Sequence, residues 1–297
     1  MPSYSPTSYF SDPALSLDPT LFEGRALKPW VRQGITHLLS DFLNKNYRHS
    51  ELWAQPWLAG SGVSYQWAAS RNPGDLDCLV GINFVQFRQA NPEYRGLLDK
   101  EISAQLNDDF YSGLQPQTAN WNGFELTFYA LTTDDIRKIH PYAAYDLKYD
   151  EWTVTPNPTQ TAPKRPEWDS VALSDHSMAN QAYVRATKAL QDLSAAHGGP
   201  QQRNLHAALE HAYQQADALY NEIHENRSLA FSPTGQGYED FNNYRWQAAK
   251  RSGSIEMLRE IKSAAEAHVE ADNKAKYGVD LPDASTLIRR AALYRSN

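Results

Sequence analysis

With 297 residues, 41% of them hydrophobic, and with eight tryptophans and seventeen tyrosines, the chain has the material for one large packed domain or two modest ones, which excludes a disordered polymer. Its net charge of −7 is spread evenly: residues 1–168 carry 14 Lys/Arg against 19 Asp/Glu, and residues 169–297 carry 14 against 16. A protein that grips nucleic acid along its length needs a basic stripe, so extended nucleic-acid binding is not expected.

No run approaches the roughly 18 consecutive apolar residues of a membrane span, and Met1-Pro2-Ser3-Tyr4 lacks the basic start and apolar run of a secretory signal. A single cysteine, Cys78, excludes an internal disulfide. The expected setting is therefore the reducing cytoplasm, without a membrane partner.

In chain order, residues 1–26 are rich in Ser, Pro and Tyr and read as an extended arm. From Leu27 to about Asn46, Trp30, Ile35, Leu38, Leu39, Phe42 and Leu43 recur at helical spacing. A first strand ends in Trp57-Leu58-Ala59-Gly60-Ser61-Gly62, and a second runs from Asp75 to Ile82 after Pro73-Gly74. Residues 93–112 read as a helix with Leu97, Leu98, Ile102 and Leu106 on its apolar face. Gly123 to Leu131 alternates as a third strand, and Glu151 to Thr155 is a shorter fourth. Four prolines between residues 156 and 168 mark a linker. Residues 169–297 are alanine-rich, with helices near 169–196, 201–229, 239–251, 254–276 and 283–295, punctuated by Gly198-Gly199-Pro200 and Gly235-Gln236-Gly237. The fold class is thus α+β: a sheet-bearing domain over 27–155, then an all-α domain over 169–297.

The chemistry concentrates on the second strand. Asp75 and Asp77 are two apart, so their side chains project from one face, while Leu76 and Cys78 point into a core. Two acids on an apolar strand are costly unless a cation compensates them, and Mg²⁺ takes hard oxygen ligands of this kind. Upstream, the glycines of Gly60-Ser61-Gly62 allow close approach to a phosphate that the Ser61 hydroxyl and exposed N–H groups can hold. Glu125 stands on the third strand, 48 residues after Asp77. Cys78 reads as a core residue. His140, His176, His206, His211 and His224 are scattered, with no pair at the spacing of a zinc motif.

Leu58-Ala59-Gly60-Ser61 followed by Asp75-Leu76-Asp77-Cys78 resembles the motif of the DNA polymerase β-like nucleotidyltransferase superfamily, with a spacer at the long end of that pattern. The resemblance covers roughly residues 27–155 and does not fix a subfamily. It implies a mixed sheet flanked by helices, followed by a helical domain that closes the nucleotide cleft. It also implies an enzyme that uses Mg²⁺ (or Mn²⁺) to transfer an NMP from an NTP such as ATP. The acceptor is left open among a short nucleotide, a nucleic-acid end, a small molecule and a protein. Asp75, Asp77 and Glu125 would be catalytic and bind metal, Glu125 also deprotonating the acceptor, with Asp146 as the rival third acid, and Gly60 and Ser61 would bind the nucleotide. The alternative is a catalytically silent relative that senses a nucleotide or binds a partner.

A second polar group lies in the helical half. Asn243, Trp246, Gln247 and Lys250 stand at i, i+3, i+4 and i+7, on one helical face, and suit a nucleotide through stacking, amides and an ammonium. Arg227 precedes them, followed by Ser232-Pro233-Thr234-Gly235-Gln236-Gly237, read as a loop able to close over a ligand. The bland reading is a solvated helix face with Trp246 packed on its neighbour.

Overall fold

The computed structural model describes residues 8–67, 74–195, 200–232 and 234–278. By contact density the chain divides into two units, Met1–Trp168 with Glu225–Arg251, and Asp169–His224 with Ser252–Asn297. The described residues form an α+β structure, with a mixed sheet in the first half and long helices after it.

The first unit holds a hairpin of β1 (Phe22–Glu23) and β2 (Ala26–Leu27), the helices α1 (Pro29–Asn46) and the one-turn α2 (Ser50–Trp53), and a five-stranded sheet. The sheet contains β3 (Ala54–Ala59), β4 (Gly74–Ile82), β5 (Phe124–Ala130), β6 (Ala144–Asp146) and β7 (Glu151–Val154), in the order β5-β4-β3-β6-β7. β4 and β5 run parallel, and the other neighbours are antiparallel. A parallel pair cannot be joined by a tight turn. The crossover from β4 to β5 is made by α3 (Phe84–Ala90), α4 (Asp99–Gly113) and α5 (Gln115–Thr118).

Alternation along the two central strands sets the layers. Leu76, Cys78 and Val80 of β4 and Leu126, Phe128 and Ala130 of β5 are buried on one face. They join Val31, Ile35, Leu39 and Leu43 of α1 (Pro29–Asn46), spaced i, i+4, i+8 and i+12, and Ile102, Leu106 and Phe110 of α4 in one core. Pro29 begins α1, where a missing N–H costs nothing. The opposite face carries Trp57 and Ala59 of β3, packed with Ile136 and Ala144. On the same face Asp75, Asp77, Glu125 and Thr127 remain half-buried.

A separate aromatic cluster of Tyr9, Tyr142, Tyr238 and Tyr244 ties α8 (Phe241–Arg251) into this unit. Tyr142 meets Tyr238 edge-on at 4.3 Å between centroids, and Tyr9 Oη donates to the Tyr238 carbonyl at 3.2 Å. The second unit comprises α6 (Pro166–Ala195) from Asp169 on, α7 (Pro200–Ala230) as far as His224, and α9 (Ser254–Tyr277). Its buried residues recur at helical spacing: Ala179, Ala182, Ala186 and Ala189 on α6, Leu209, Ala212, Ala216, Leu219 and Ile223 on α7, and Ile255, Leu258 and Ile261 on α9. No helix among the described residues is long and apolar enough to cross a membrane.

Several sequence expectations need correction. Residues 8–26 are not a free extended arm, because Tyr9, Leu17, Leu21 and Phe22 are buried. The helix expected over 93–112 starts at Asp99, and Leu97 and Leu98 are exposed. A 3-10 turn at Pro92–Tyr94 precedes it, and the Glu101 carboxylate caps the Leu98 N–H at 2.7 Å. The region 169–297 is not one domain by contact, since Glu225–Arg251 clusters with the sheet unit. The linker ends at Pro166, which opens α6. The helix expected over 283–295, the Gly198-Gly199 pair, Pro73 and Pro233 lie outside the described residues.

Candidate active site

Strand register brings the predicted acids together. Asp75 of β4 is the direct partner of Glu125 on β5, and Asp77 is the partner of Thr127. Paired residues on neighbouring strands share a face, as do residues two apart on one strand, so Asp75, Asp77 and Glu125 project together. Strands lie about 4.8 Å apart and two residues span about 6.6 Å, which puts three carboxylates over a small patch. Like charges placed directly across a sheet destabilise it. A pair such as Asp75 and Glu125 therefore calls for a positive group at this face.

The Gly60-Ser61-Gly62 bend abuts the same acids. β3 pairs with β4 so that Ala59 faces Asp77, and the chain then leaves the sheet at Gly60 into a 3-10 turn at Ser61–Val63. Gly60 has φ +89°, a conformation side chains rarely adopt, and a Cβ built on it lies 3.0 Å from Asp77 Oδ2. A Cβ on Gly62 lies 2.6 Å from the Asp75 carbonyl oxygen. Only glycine fits at either position without movement. The bend is held by Gly60 N–H donating to the Ala143 carbonyl at 3.2 Å and by Ser64 Oγ donating to the Ser61 carbonyl at 2.9 Å.

Arg227, near the C-terminus of α7, belongs to the sheet unit. Its guanidinium stacks 5.3 Å over Trp246 and 5.8 Å over Phe231, and its Nε is buried without a hydrogen-bond partner. The electrostatics locate it. Tyr129, which follows Glu125 and Thr127 on the same face of β5, has its phenol pKa raised by burial first, then by Asp77, with Glu125 and Asp75 adding to the effect. Arg227 pulls the same phenol down. Asp75, Asp77, Glu125 and Arg227 thus all lie within electrostatic reach of the Tyr129 phenol.

The rival third acid, Asp146, has other work. It is 5% exposed; Oδ2 accepts from Gln55 Nε2 at 2.8 Å, and Oδ1 accepts from the Lys148 and Tyr149 N–H groups at 2.8 and 2.9 Å. Oδ1 holds the turn after β6 and Oδ2 ties it to Gln55 of β3, so both oxygens are used. Among the described residues Glu125 has only a long contact from Gln115 Nε2, at 3.5 Å. Cys78 is fully buried in the core, and burial followed by the Asp77 charge pushes its thiol pKa up, which disfavours a thiolate nucleophile.

The α8 face expected to meet a nucleotide is largely inside the protein. Asn243 is fully buried and donates to the Tyr238 carbonyl at 3.1 Å, and Trp246 is 4% exposed beneath Arg227. Gln247 and Lys250 are half-buried. The Tyr238 carbonyl and the Arg227 guanidinium, which helical periodicity does not reveal, cover Asn243 and Trp246 on this face. The loop expected to close over a ligand is packed: a Cβ on Gly235 meets the Leu229 and Ala230 carbonyl oxygens at 2.2 Å, and one on Gly237, with φ +59°, meets the His140 carbonyl oxygen at 2.4 Å.

The sequence reading missed Tyr129 as a neighbour of the acids, although its place two and four residues beyond Thr127 and Glu125 puts it on their face. Among the described residues no three His, Cys, Asp or Glu side chains converge closely enough to enclose one ion. That does not conflict with a Mg²⁺ site, since such sites take one or two carboxylates and complete the shell with substrate phosphates and water. The hard oxygens of Asp75 and Asp77, beside a glycine bend that touches both residues, fit that requirement. Comparison of the chain with family models, curated proteins and solved structures finds no match.

Proposed function

We propose that this chain is a metal-dependent nucleotidyltransferase that moves an NMP from an NTP to an acceptor hydroxyl. The observation that carries the reading is the placement of Asp75, Asp77 and Glu125 on one sheet face against the Gly60-Ser61-Gly62 bend. Bound Mg²⁺ (or Mn²⁺) would supply charge neutralisation at the transferring phosphorus. Asp75 and Asp77 are the residues to hold it. Glu125, opposite Asp75, accepts the proton of the acceptor hydroxyl as its oxygen bonds to the α-phosphorus and pyrophosphate leaves. Ser61 Oγ and the backbone of the bend receive the terminal phosphates. Arg227, its plane set by Trp246 and Phe231, presents positive charge to the same phosphates. The even, mildly acidic charge favours a small acceptor or a chain end over a long duplex, and a cytoplasmic setting accords with the lone buried thiol.

A catalytically silent nucleotide sensor is the second reading, favoured by the lack of a three-ligand cluster among the described residues. Incubation with each α-³²P-labelled NTP and Mg²⁺ or Mn²⁺, with products separated, tests the enzyme. Label appears in a product with the wild type and vanishes with Asp77→Asn. Nucleotide binding by calorimetry without turnover supports the sensor. If no NTP binds or reacts in the presence of either metal, both readings fall.

A further inference from the structure

The second unit contains a histidine pair that sequence spacing does not reveal. His206 on α7 and His268 on α9 are 62 residues apart, yet His206 Nδ1 lies 3.2 Å from His268 Nε2. The ring centroids are 5.2 Å apart with planes inclined by 32°. The centroid separation exceeds the nitrogen separation by about the width of an imidazole, so these nitrogens are the facing corners of the two rings. Their lone pairs can converge on one point. Two imidazole nitrogens bound to a tetrahedral zinc ion, each at about 2.0–2.1 Å, stand about 3.3 Å from one another. The observed separation is already close to that bite.

The surroundings add independent support. Both rings line a cavity of about 350 Å³ together with Glu210, Tyr213, Leu209 and Val269. Glu210 follows His206 by one helical turn and so shares its face of α7. Tyr213 is 8% exposed, and its Oη is buried with no hydrogen-bond partner among the described residues. Burial, and then the Glu210 charge, pushes the Tyr213 phenol pKa up, which places the carboxylate and the phenol in the same neighbourhood. A buried hydroxyl without a partner costs about 1–3 kcal/mol. A water or anionic ligand on a bound ion would give it one.

We propose that His206 and His268 are the protein ligands of a divalent transition-metal ion of the Zn²⁺ class, which clips α7 to α9. Glu210 is the carboxylate neighbour, and Tyr213 hydrogen-bonds to the remaining ligand shell. Imidazole nitrogen suits Zn²⁺, Ni²⁺ or Cu²⁺ and not Mg²⁺, so this site is chemically distinct from the carboxylate face of the sheet unit. With two protein nitrogens it is an open site, weaker than a closed structural zinc centre. It does not rest on the nucleotidyltransferase reading.

The test uses the full chain freed of metal by a chelator that is then removed. Titration with Zn²⁺ alone should show one equivalent bound at the histidine pair and a raised melting midpoint, and excess Mg²⁺ should not displace that equivalent. His206→Gln and His268→Gln should each weaken Zn²⁺ affinity at least about tenfold. Asp77→Asn and His37→Gln, which touch other acids and another histidine, should leave it unchanged. In the wild type, Zn²⁺ should protect His206 and His268 from carbethoxylation by diethyl pyrocarbonate, read by peptide mass spectrometry. This measurement decides the matter should the glutamine variants fail to fold. Equal Zn²⁺ affinity in wild type and both variants, or unchanged modification of both rings with Zn²⁺ present, overturns the proposal.

Discussion

Substituting alanine for Gly60 isolates the contact on which the candidate active site depends. Two penalties combine there. The backbone at φ +89° and ψ −162° is essentially reserved for glycine, and holding alanine in it costs about 1–3 kcal/mol. The new Cβ would sit 3.0 Å from Asp77 Oδ2, about 0.4 Å inside the 3.4 Å at which ordinary contact begins, and a carboxylate end yields to such pressure. Gly123 provides the control, because its φ of +85° is also one that side chains rarely adopt while a Cβ there meets nothing within 4 Å. Gly62 provides the converse: a Cβ lies 2.6 Å from the Asp75 carbonyl oxygen, about 0.8 Å too close to backbone that cannot rotate away. Overpacking of that kind costs about 1–3 kcal/mol. Urea denaturation followed by tryptophan fluorescence, alongside Mg²⁺-dependent turnover or nucleotide binding, should therefore separate the three variants. Gly60→Ala and Gly123→Ala both lose stability, but only Gly60→Ala and Gly62→Ala lose activity. The expected loss is about a hundredfold, the usual effect of a displacement near 1 Å at a reacting centre. Were Gly123→Ala to impair activity as much as Gly60→Ala, or Gly62→Ala to leave both readouts untouched, the proposed fit between bend and acids would be refuted.

Glu125→Gln should abolish turnover at little cost to stability, since among the described residues only Gln115 hydrogen-bonds to the carboxylate, whereas Asp146→Ala should lower stability by about 2–4 kcal/mol by stranding its donors while sparing activity per folded molecule; paired melts and product assays check both. Arg227→Lys keeps the charge but removes the planar stack on Trp246, so tryptophan emission should shift and nucleotide affinity should fall about tenfold, measured by fluorescence and calorimetry. Tyr9, Tyr142 and Tyr238 have phenol pKa values raised by burial above the ordinary 10.0. Above that pH the unfolded chain releases protons that the folded chain retains, so stability is intact below pH 10 and falls as pH rises beyond it. Urea midpoints measured from pH 8 to strongly alkaline conditions should decline over that range, and a flat profile would remove the aromatic cluster from the account of how α8 is held.

Much of the site was legible because its key spacing is local. Asp75 and Asp77 lie two apart on a strand, and Leu76, Cys78 and Val80 between and after them are the buried partners that fix the face. Period-two alternation in β5 likewise singled out Glu125 opposite the buried Leu126 and Phe128. The amphipathic pattern of α1 and α4 identified their core faces, although Leu97 and Leu98 were drawn into the wrong element because apolar residues in a turn mimic a helical stripe. Strands as short as β6, three residues, carry too few positions to show any period.

By itself, the sequence determined which residues share a face of each element, because that follows from the 3.6 and 2.0 residue repeats of the backbone. It also determined the even charge and the division into sheet-bearing and helical halves. Tertiary structure alone decided that Asp75 stands beside Glu125 rather than Asp146, that Gly60 closes on Asp77, and that Arg227 joins the sheet while Trp246 is covered. It alone brought His206 to His268. These are contacts between residues tens to hundreds of positions apart, set by strand register and by aromatic packing such as the Tyr9–Tyr238 pair, and no local repeat encodes them.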